Sequence, residues 1–368
     1  MIPESVFEQS IRSLFAPVAV FLDDPSVSEI LINGPSEIYV ERRGRLERTA
    51  AAFSSPRALT AALRNVAQYV GHPLDDQHPI LEGRLPDGSR IEALLPPLAA
   101  GGPSVAIRRF SKERLTVARL LELGAFTRAA AEVLARLVAV KCNIIVSGGT
   151  GSGKTSLLNA LSSFIPEGER IITIEDAREL QLQREHVLSL EARPPDERGR
   201  GAITIRDLFK ASLRMRPDRI VVGEIRGGEA LDLIQAMTSV HGGCLSTVHA
   251  STPRDTLGRL ETLALMSNVE LPLLALRAQL ASAVDIVVQT ARLADGTRRV
   301  THVTEVRAAD HGYALVDLFI GTMGPRGWTL GLTEDAARCL ERLGAHGLAG
   351  EGDSSNLGSK EAPACSAS

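Results

Sequence analysis

The sequence is poor in aromatic residues, 4% of its 368 positions, and in lysine, which occurs only at 112, 141, 154, 210 and 360. Few aromatics means few platforms on which bases could stack. The net charge is 41 − 44 = −3, so no strongly basic nucleic-acid coat or acidic tail dominates. Both features argue against a nucleic-acid track. Of the cysteines, Cys142, Cys244, Cys339 and Cys365, none lies two to four positions from another. That spacing excludes a zinc ribbon and a thioredoxin motif. Scattered thiols fit a reducing compartment. No apolar run reaches the roughly 18 residues of a membrane-spanning helix, and Ala93–Ile107 is broken by Pro96, Pro97, Gly101, Gly102 and Pro103. The start, Met-Ile-Pro-Glu, has no basic segment and no apolar stretch of signal-peptide length. The expectation is a soluble cytoplasmic protein.

Hydrophobic residues at 44% and charged ones at 23% fit an ordinary globular chain. At about 150 residues per domain, the length predicts two domains. The pattern places an N-terminal α+β domain at 1–112 and a helical linker at 113–126. An α/β domain follows at 127–343, then a disordered tail at 344–368. In the first domain the expected strands are Ser28–Asn33, Glu37–Arg42, Leu81–Arg84, Arg90–Leu95 and Val105–Phe110. The expected helices are Glu4–Phe15 and Pro56–Val70, the second with Ser55 as N-cap and Gly71 as stop. In the second, strands Asn143–Ser147, Arg170–Glu175, His186–Glu191, Ile220–Glu224 and Gly243–Val248 alternate with helices. A hairpin is expected around Asp295-Gly296.

The strongest signal is Gly148-Gly149-Thr150-Gly151-Ser152-Gly153-Lys154-Thr155, which satisfies G-x-x-x-x-G-K-[ST]. Glycines let the backbone wrap an anion with successive N–H groups pointing inward. The helix that follows, with Ser156 in its first turn, adds its positive N-terminal end. Lys154 supplies a cation for the β/γ-phosphates, and the Thr155 hydroxyl reaches Mg²⁺. A buried-strand pattern, Asn143–Ser147, stands directly before the loop.

Hydrolysis also needs carboxylates at neighbouring strand ends. Glu224 ends one such strand; it is either a metal-side carboxylate or a solvated strand end. Glu175-Asp176 ends another, and a carboxylate there can polarise water or simply face solvent. His241 and His249 flank a third. An imidazole there can sense a γ-phosphate, or be a surface histidine.

Four segments together resemble one family. Gly148–Thr155 is similar to its Walker A, and Ile172–Asp176 to its acidic box. Arg216–Ala230 is similar to its Walker B, and His241–Ala250 to its histidine box. These mark the type II/type IV secretion ATPase superfamily. Glu29–Pro35, Tyr39–Leu46 and Ala192–Pro195 resemble the CpaF type, the ATPase of Tad (Flp) pilus assembly, as does Thr247–Ala250 leading into Thr252–Asp255. The resemblance spans about residues 5–310. It implies a RecA-like P-loop core, ATP and Mg²⁺ as cofactors, and a homo-hexamer. It also implies an integral inner-membrane platform protein as partner and a cytoplasmic, peripheral location at that membrane. Nucleic acid is not expected as a partner. By the same resemblance Glu224 is the Walker B carboxylate near Mg²⁺, and Glu175 the general base. His249 is the γ-phosphate sensor. Arginines act across the domain junction, with Arg90, Arg108, Arg109 and Arg193 as candidates and the Arg108/Arg109 pair favoured. The sequence departs from the family at Gly242-Gly243-Cys244, where His-acidic-Gly-Ser is usual. It also lacks the Cys-x-x-Cys pairs of the type II branch. Two other readings of the loop stand beside the motor: a nucleic-acid-translocating ATPase, and a P-loop kinase or nucleotide switch.

Overall fold

The structure, a computed structural model, describes residues 4–42, 44–110, 115–193, 195, 199–239, 242–310, 312–324, 327–335 and 338. His241 and the expected tail at 344–368 lie outside the described residues, as does part of the expected linker.

The N-terminal unit runs α1 (Glu4–Leu14), α2 (Ala16–Asp23), β1 (Val27–Asn33), β2 (Ile38–Arg42), β3 (Arg45–Arg48), α3 (Pro56–Val70), β4 (Ile80–Arg84), β5 (Arg90–Leu94) and β6 (Ser104–Arg108). Its strands form one antiparallel six-stranded sheet, ordered β3-β2-β1-β6-β5-β4. Inward residues alternate along the strands, as in Ile30 and Ile32 of β1. The Ser55 hydroxyl accepts from Ala58 N at 3.1 Å and starts α3; Gly71, at φ +83°, ends it. Between these caps Leu59, Leu63 and Val66 are fully buried. Each such side chain stabilises the unit by about 1.5–3 kcal/mol.

The second unit begins with α4 (Val117–Glu122), α5 (Arg128–Ala139), β7 (Ile144–Gly148), α6 (Lys154–Ser162), β8 (Ile171–Glu175), β9 (Val187–Glu191), α7 (Ile205–Ser212) and β10 (Arg219–Val222). It continues through α8 (Glu229–Met237), β11 (Leu245–His249), α9 (Pro253–Leu265), α10 (Leu273–Ala283), β12 (Ile286–Arg292), β13 (Arg298–Ala309), β14 (Gly312–Gly324) and β15 (Gly327–Leu332). The nine-stranded sheet is ordered β15-β14-β13-β12-β7-β11-β10-β8-β9. Pairing is parallel from β12 to β9 and antiparallel from β12 to β15.

β7, β8 and β10 are buried at every position, because apolar layers cover both faces. Helices α5 and α6 pack on one face. Helices α7 to α10 pack on the other. The one buried amide at the start of β7 is fully used. Asn143 Nδ2 donates to Met237 O (3.1 Å) and Ala283 O (2.7 Å), and its Oδ1 accepts from the N–H groups of Gly243 and Cys244 (both 2.9 Å). A buried polar side chain so satisfied pins the strand starts. The opposite ends of β7, β8, β10 and β11 then open on a common edge, where α/β sheets bind ligands.

Two differences from the expected elements matter. The strand expected to reach Glu224 stops at Val222, so Glu224 stands in the turn beyond it. Strands β14 and β15 extend the sheet where no strand was expected.

Candidate nucleotide site

The loop 148–153 joins the end of β7 to α6 and is braced from below. A Cβ at Gly148 would collide with Ser152 Oγ and with the hydroxyl and carbonyl of Thr290, so only glycine fits. Ser152 Oγ lies 2.8 Å from Gly149 O and 2.8 Å from Thr290 Oγ1, which in turn lies 3.0 Å from Ser147 O. The outer side is open: Thr150 is exposed, and a Cβ at Gly149 or Gly151 would meet nothing within 4 Å.

Lys154 is buried at the start of α6. Its Nζ donates to Gly148 O (3.1 Å) and Gly149 O (2.9 Å) and lies 3.4 Å from His249 Nδ1. Burial pushes its pKa below the usual lysine range; Glu224 opposes the shift, and Arg108 and Arg226 add to it. Thr155 and Ser156 follow in the first turn. They line a cavity of about 250 Å³ together with Asn159, Arg108 and Glu179.

Glu224 meets a cation or donor on each oxygen. Oε1 lies 2.7 Å from His249 Nε2, and Oε2 accepts from Arg226 Nε (2.8 Å) and lies 2.6 Å from its Nη2. Arg226 Nη1 lies 3.5 Å from Asp176 Oδ2. Lys154, His249, Glu224, Arg226 and Asp176 therefore form a chain of neighbouring polar groups across the ends of β7, β11, β10 and β8. Burial lowers the His249 pKa below its ordinary 6.5, and Lys154 adds to the shift while Glu224 resists it. A neutral imidazole accounts for both contacts, with Nε2–H donating to Glu224 and Nδ1 accepting from Lys154.

Glu175 is only 4% exposed at the end of β8. Its Oε1 accepts from Glu179 N (2.8 Å) and Leu180 N (2.9 Å), while Oε2 is buried without a partner. Burial raises its pKa above the ordinary 4.5, against the pull of the two backbone donors. The side chain packs against Gly223, where a Cβ would stand 2.9 Å from Glu175 Cγ. The residue before Glu224 is thus glycine for a reason of space.

The N-terminal unit faces this edge with arginines, and the favoured two differ in what holds them. Arg108 is exposed and close enough to Lys154 to depress its pKa. Arg109 borders the small cavity, but its Nη1 is held inside its own unit by the carbonyls of Asp24 and Val27 (2.8 Å to the latter). Arg90 docks on the loop after β8, with Nη2 donating to Ala177 O (3.1 Å) and Nη1 3.3 Å from Glu179 Oε1. Arg84 does likewise through Arg178 O (3.2 Å) and Glu191 (3.1 Å). Arg193 is held by its own segment, through Nε to Gly201 O at 2.8 Å. Between the units lies a cleft of about 1260 Å³, bordered by Arg90, Arg108, Asp176, Arg193 and Arg226.

Sequence reasoning missed Arg226 and Thr290. Arg226 stood in plain view two residues beyond Glu224. Nothing local marks Thr290; only the parallel pairing of β12 with β7, Thr290 opposite Gly148, brings it under the loop.

Comparison with known proteins identifies the family and the fold. The family model for type II/IV secretion system proteins matches residues 13–314. The conjugal transfer protein TrbB of Rhizobium radiobacter is 35% identical over 80% of this chain and 88% of its own. The type IV secretion system protein VirB11 of Brucella suis is 34% identical over 81% of this chain and 90% of its own. The crystal structure of the pilus retraction motor PilT with bound ADP, 19% identical, superposes with a TM-score of 0.53 over 90% of this chain and 85% of its own, a likeness of fold. The chain belongs to the type II/IV secretion system protein family and carries the RecA-like P-loop α/β core of its ATPases.

Proposed function

We propose that this ATPase is a motor that powers pilus assembly or protein secretion from the cytoplasmic face of the inner membrane. The observation that carries the reading is the polar chain from Lys154 through His249 to Glu224, set directly over the braced phosphate loop. The loop amides and Lys154 bind the phosphates of ATP, and Lys154 exchanges its contacts to the carbonyls of Gly148 and Gly149 for phosphate oxygens. His249 follows the γ-phosphate. Glu224 orients the attacking water, and Glu175, through its unpartnered Oε2, takes the proton. Arg108 adds positive charge opposite Lys154 as charge develops on the γ-phosphate.

The residues present fit Mg²⁺. Among the described residues no three His, Cys, Asp or Glu side chains converge into a cation cage. Mg²⁺ needs no such cage, since it keeps waters and substrate oxygens and takes only one or two protein ligands. Thr155 and Glu224 are the residues to hold it, and bound there it neutralises phosphate charge.

A ring hexamer and a membrane platform partner complete the proposal. They are supported by membership of the family, and the relatives named above belong to conjugation and type IV secretion. Among the described residues no helix is long and apolar enough to cross a membrane, so membrane association through a partner is the simpler arrangement. The Tad/Flp branch is the finer proposal. It is supported by the segments Glu29–Pro35 and Tyr39–Leu46, which fall on β1, β2 and the start of β3. The test is sedimentation of the full chain with and without a non-hydrolysable ATP analogue, beside phosphate release. A nucleotide-stabilised assembly of six with turnover is expected. A monomer that stays inactive under both conditions contradicts the motor.

A further inference from the structure

The β12–β13 hairpin turns at Asp295-Gly296, where Thr297 N donates to Asp295 Oδ1 at 2.8 Å, and Arg292 and Arg298 are cross-strand partners at its tip. Its arginines reach three separate parts of the molecule. Arg298 Nε donates to Gly151 O at 2.8 Å, on the outer side of the phosphate loop. Its stem lies along Gly153, where a Cβ would stand 3.4 Å from Arg298 Cδ. Arg292 Nη2 donates to Gly44 O, in the turn between β2 and β3 of the N-terminal unit. Arg299 Nη1 donates to Leu123 O (2.9 Å) and Gly124 O, and Val300 N donates to Ala125 O (2.8 Å), holding the segment between α4 and α5.

The glycine acceptors share one feature. Gly44, Gly124 and Gly151 have φ of +77°, +67° and +68°, the left-handed region that glycine adopts without strain. A Cβ at Gly44 or Gly124 would strike the guanidinium that holds it. Those two guanidinium groups, of Arg292 and Arg299, therefore sit flush against tight turns, whereas Arg298 meets Gly151 through its carbonyl alone.

The contact at Gly151 bears on the phosphate site. A peptide group carries its C=O and N–H on opposite edges. A donor fixed on Gly151 O therefore turns the Ser152 N–H inward, where Gly149 O accepts it at a long 3.3 Å. An inward N–H on so long a bond can exchange this acceptor for an anion.

We infer that Arg298 is a positioning residue for the phosphate loop, and that its hairpin transmits nucleotide occupancy to the N-terminal unit through Arg292. This rests on residues 148–155 being the nucleotide site. When the loop closes on phosphate, the Gly151 peptide moves with it and carries Arg298. The strand pairing passes that displacement to Arg292 and so to the β2–β3 turn. The hairpin, with Arg299 anchored on the segment between the units, acts as a rigid lever between two contacts that nucleotide binding biases together.

The test combines two measurements on full-length wild type, Arg298→Ala, Arg298→Lys and Arg292→Ala. One is the affinity for a fluorescent non-hydrolysable ATP analogue. The other is amide hydrogen exchange over residues 38–48 at saturating analogue. Arg298→Ala is expected to weaken binding about tenfold, the size of one hydrogen bond from a charged donor. Arg298→Lys regains most of it. Wild type slows exchange over 38–48 when the analogue binds, whereas Arg298→Ala and Arg292→Ala do not. Binding by Arg298→Ala within twofold of wild type overturns the positioning role. A response at 38–48 that survives in Arg292→Ala overturns the transmission. Wild type that fails to bind the analogue overturns the nucleotide site itself, and this inference with it.

Discussion

His249 Nε2 lies 2.7 Å from Glu224 Oε1, so the last residue of β11 and the carboxylate beyond β10 meet directly over the phosphate loop. With Lys154 on its other nitrogen, the imidazole separates a cation from an anion that would otherwise pair. Glu224 is thereby held toward the site but kept off Lys154. His249→Ala removes the spacer and lets Lys154 and Glu224 close on each other. The expected result is a kcat lower by about 100-fold with a KM for ATP changed less than about threefold, the signature of an interaction made in the transition state. Steady-state phosphate release checks it. A KM effect without a kcat effect assigns His249 to binding alone.

Gly148 has no room for a methyl group against Ser152 and Thr290. Gly148→Ala is expected to destabilise the protein by about 1–3 kcal/mol, the usual cost of overpacking, and to lower ATP affinity as the loop shifts. Thermal unfolding with and without ATP measures both. Retention of the wild-type Tm and of its ATP-induced rise contradicts the packing argument.

The pH dependence follows from Glu175. Its pKa is raised by burial, so the proton leaves only above the usual carboxylate range. A base must be ionised to act. As pH falls through the raised value the carboxylate protonates, and kcat falls with it. The acid limb of kcat is therefore expected above 4.5, on the neutral side of an ordinary glutamate. For stability the sign is reversed: the folded state holds this proton better than the unfolded chain, so ionised Glu175 costs stability above its folded pKa, and the cost disappears on acidification. Glu175→Gln is expected to abolish the limb together with most of the activity. A pH profile in Glu175→Gln that keeps the wild-type acid limb assigns it to another group.

Arg90 ties the N-terminal unit to the loop after β8, and Glu175 Oε1 holds the same loop from inside. Arg90→Ala is expected to speed amide exchange over residues 177–183 by about tenfold. The pair is a third exposed, so little of the effect will appear in Tm. Unchanged exchange there shows that Arg90 does not restrain the loop.

Local chemistry was legible in the sequence, and long-range pairing was not. Helix α3 spans the expected Pro56–Val70, because Ser55 and Gly71 are both specific cap residues. The phosphate loop stands between a strand and a helix as its spacing required. Strands β14 and β15 escaped notice because they carry glycines and show no clean alternation, and only pairing, β14 with β13 and β15 with β14, defines them. The different settings of the junction arginines were hidden for a related reason. Arg108 and Arg109 look equivalent on paper, but strand geometry turns one toward Lys154 and the other onto the carbonyls of Asp24 and Val27. Thr290 and Arg298 lie more than a hundred residues from the loop they hold, and only the sheet order brings them there.

The central claim is that Lys154, buried at the start of α6, grips the phosphates of ATP. The direct measurement is phosphate release by purified wild type and Lys154→Ala under saturating Mg·ATP. The account predicts steady turnover by wild type and a loss of at least about 100-fold in the variant, the scale of removing one preorganised charge from a transition state. Equal turnover by the two proteins would contradict it.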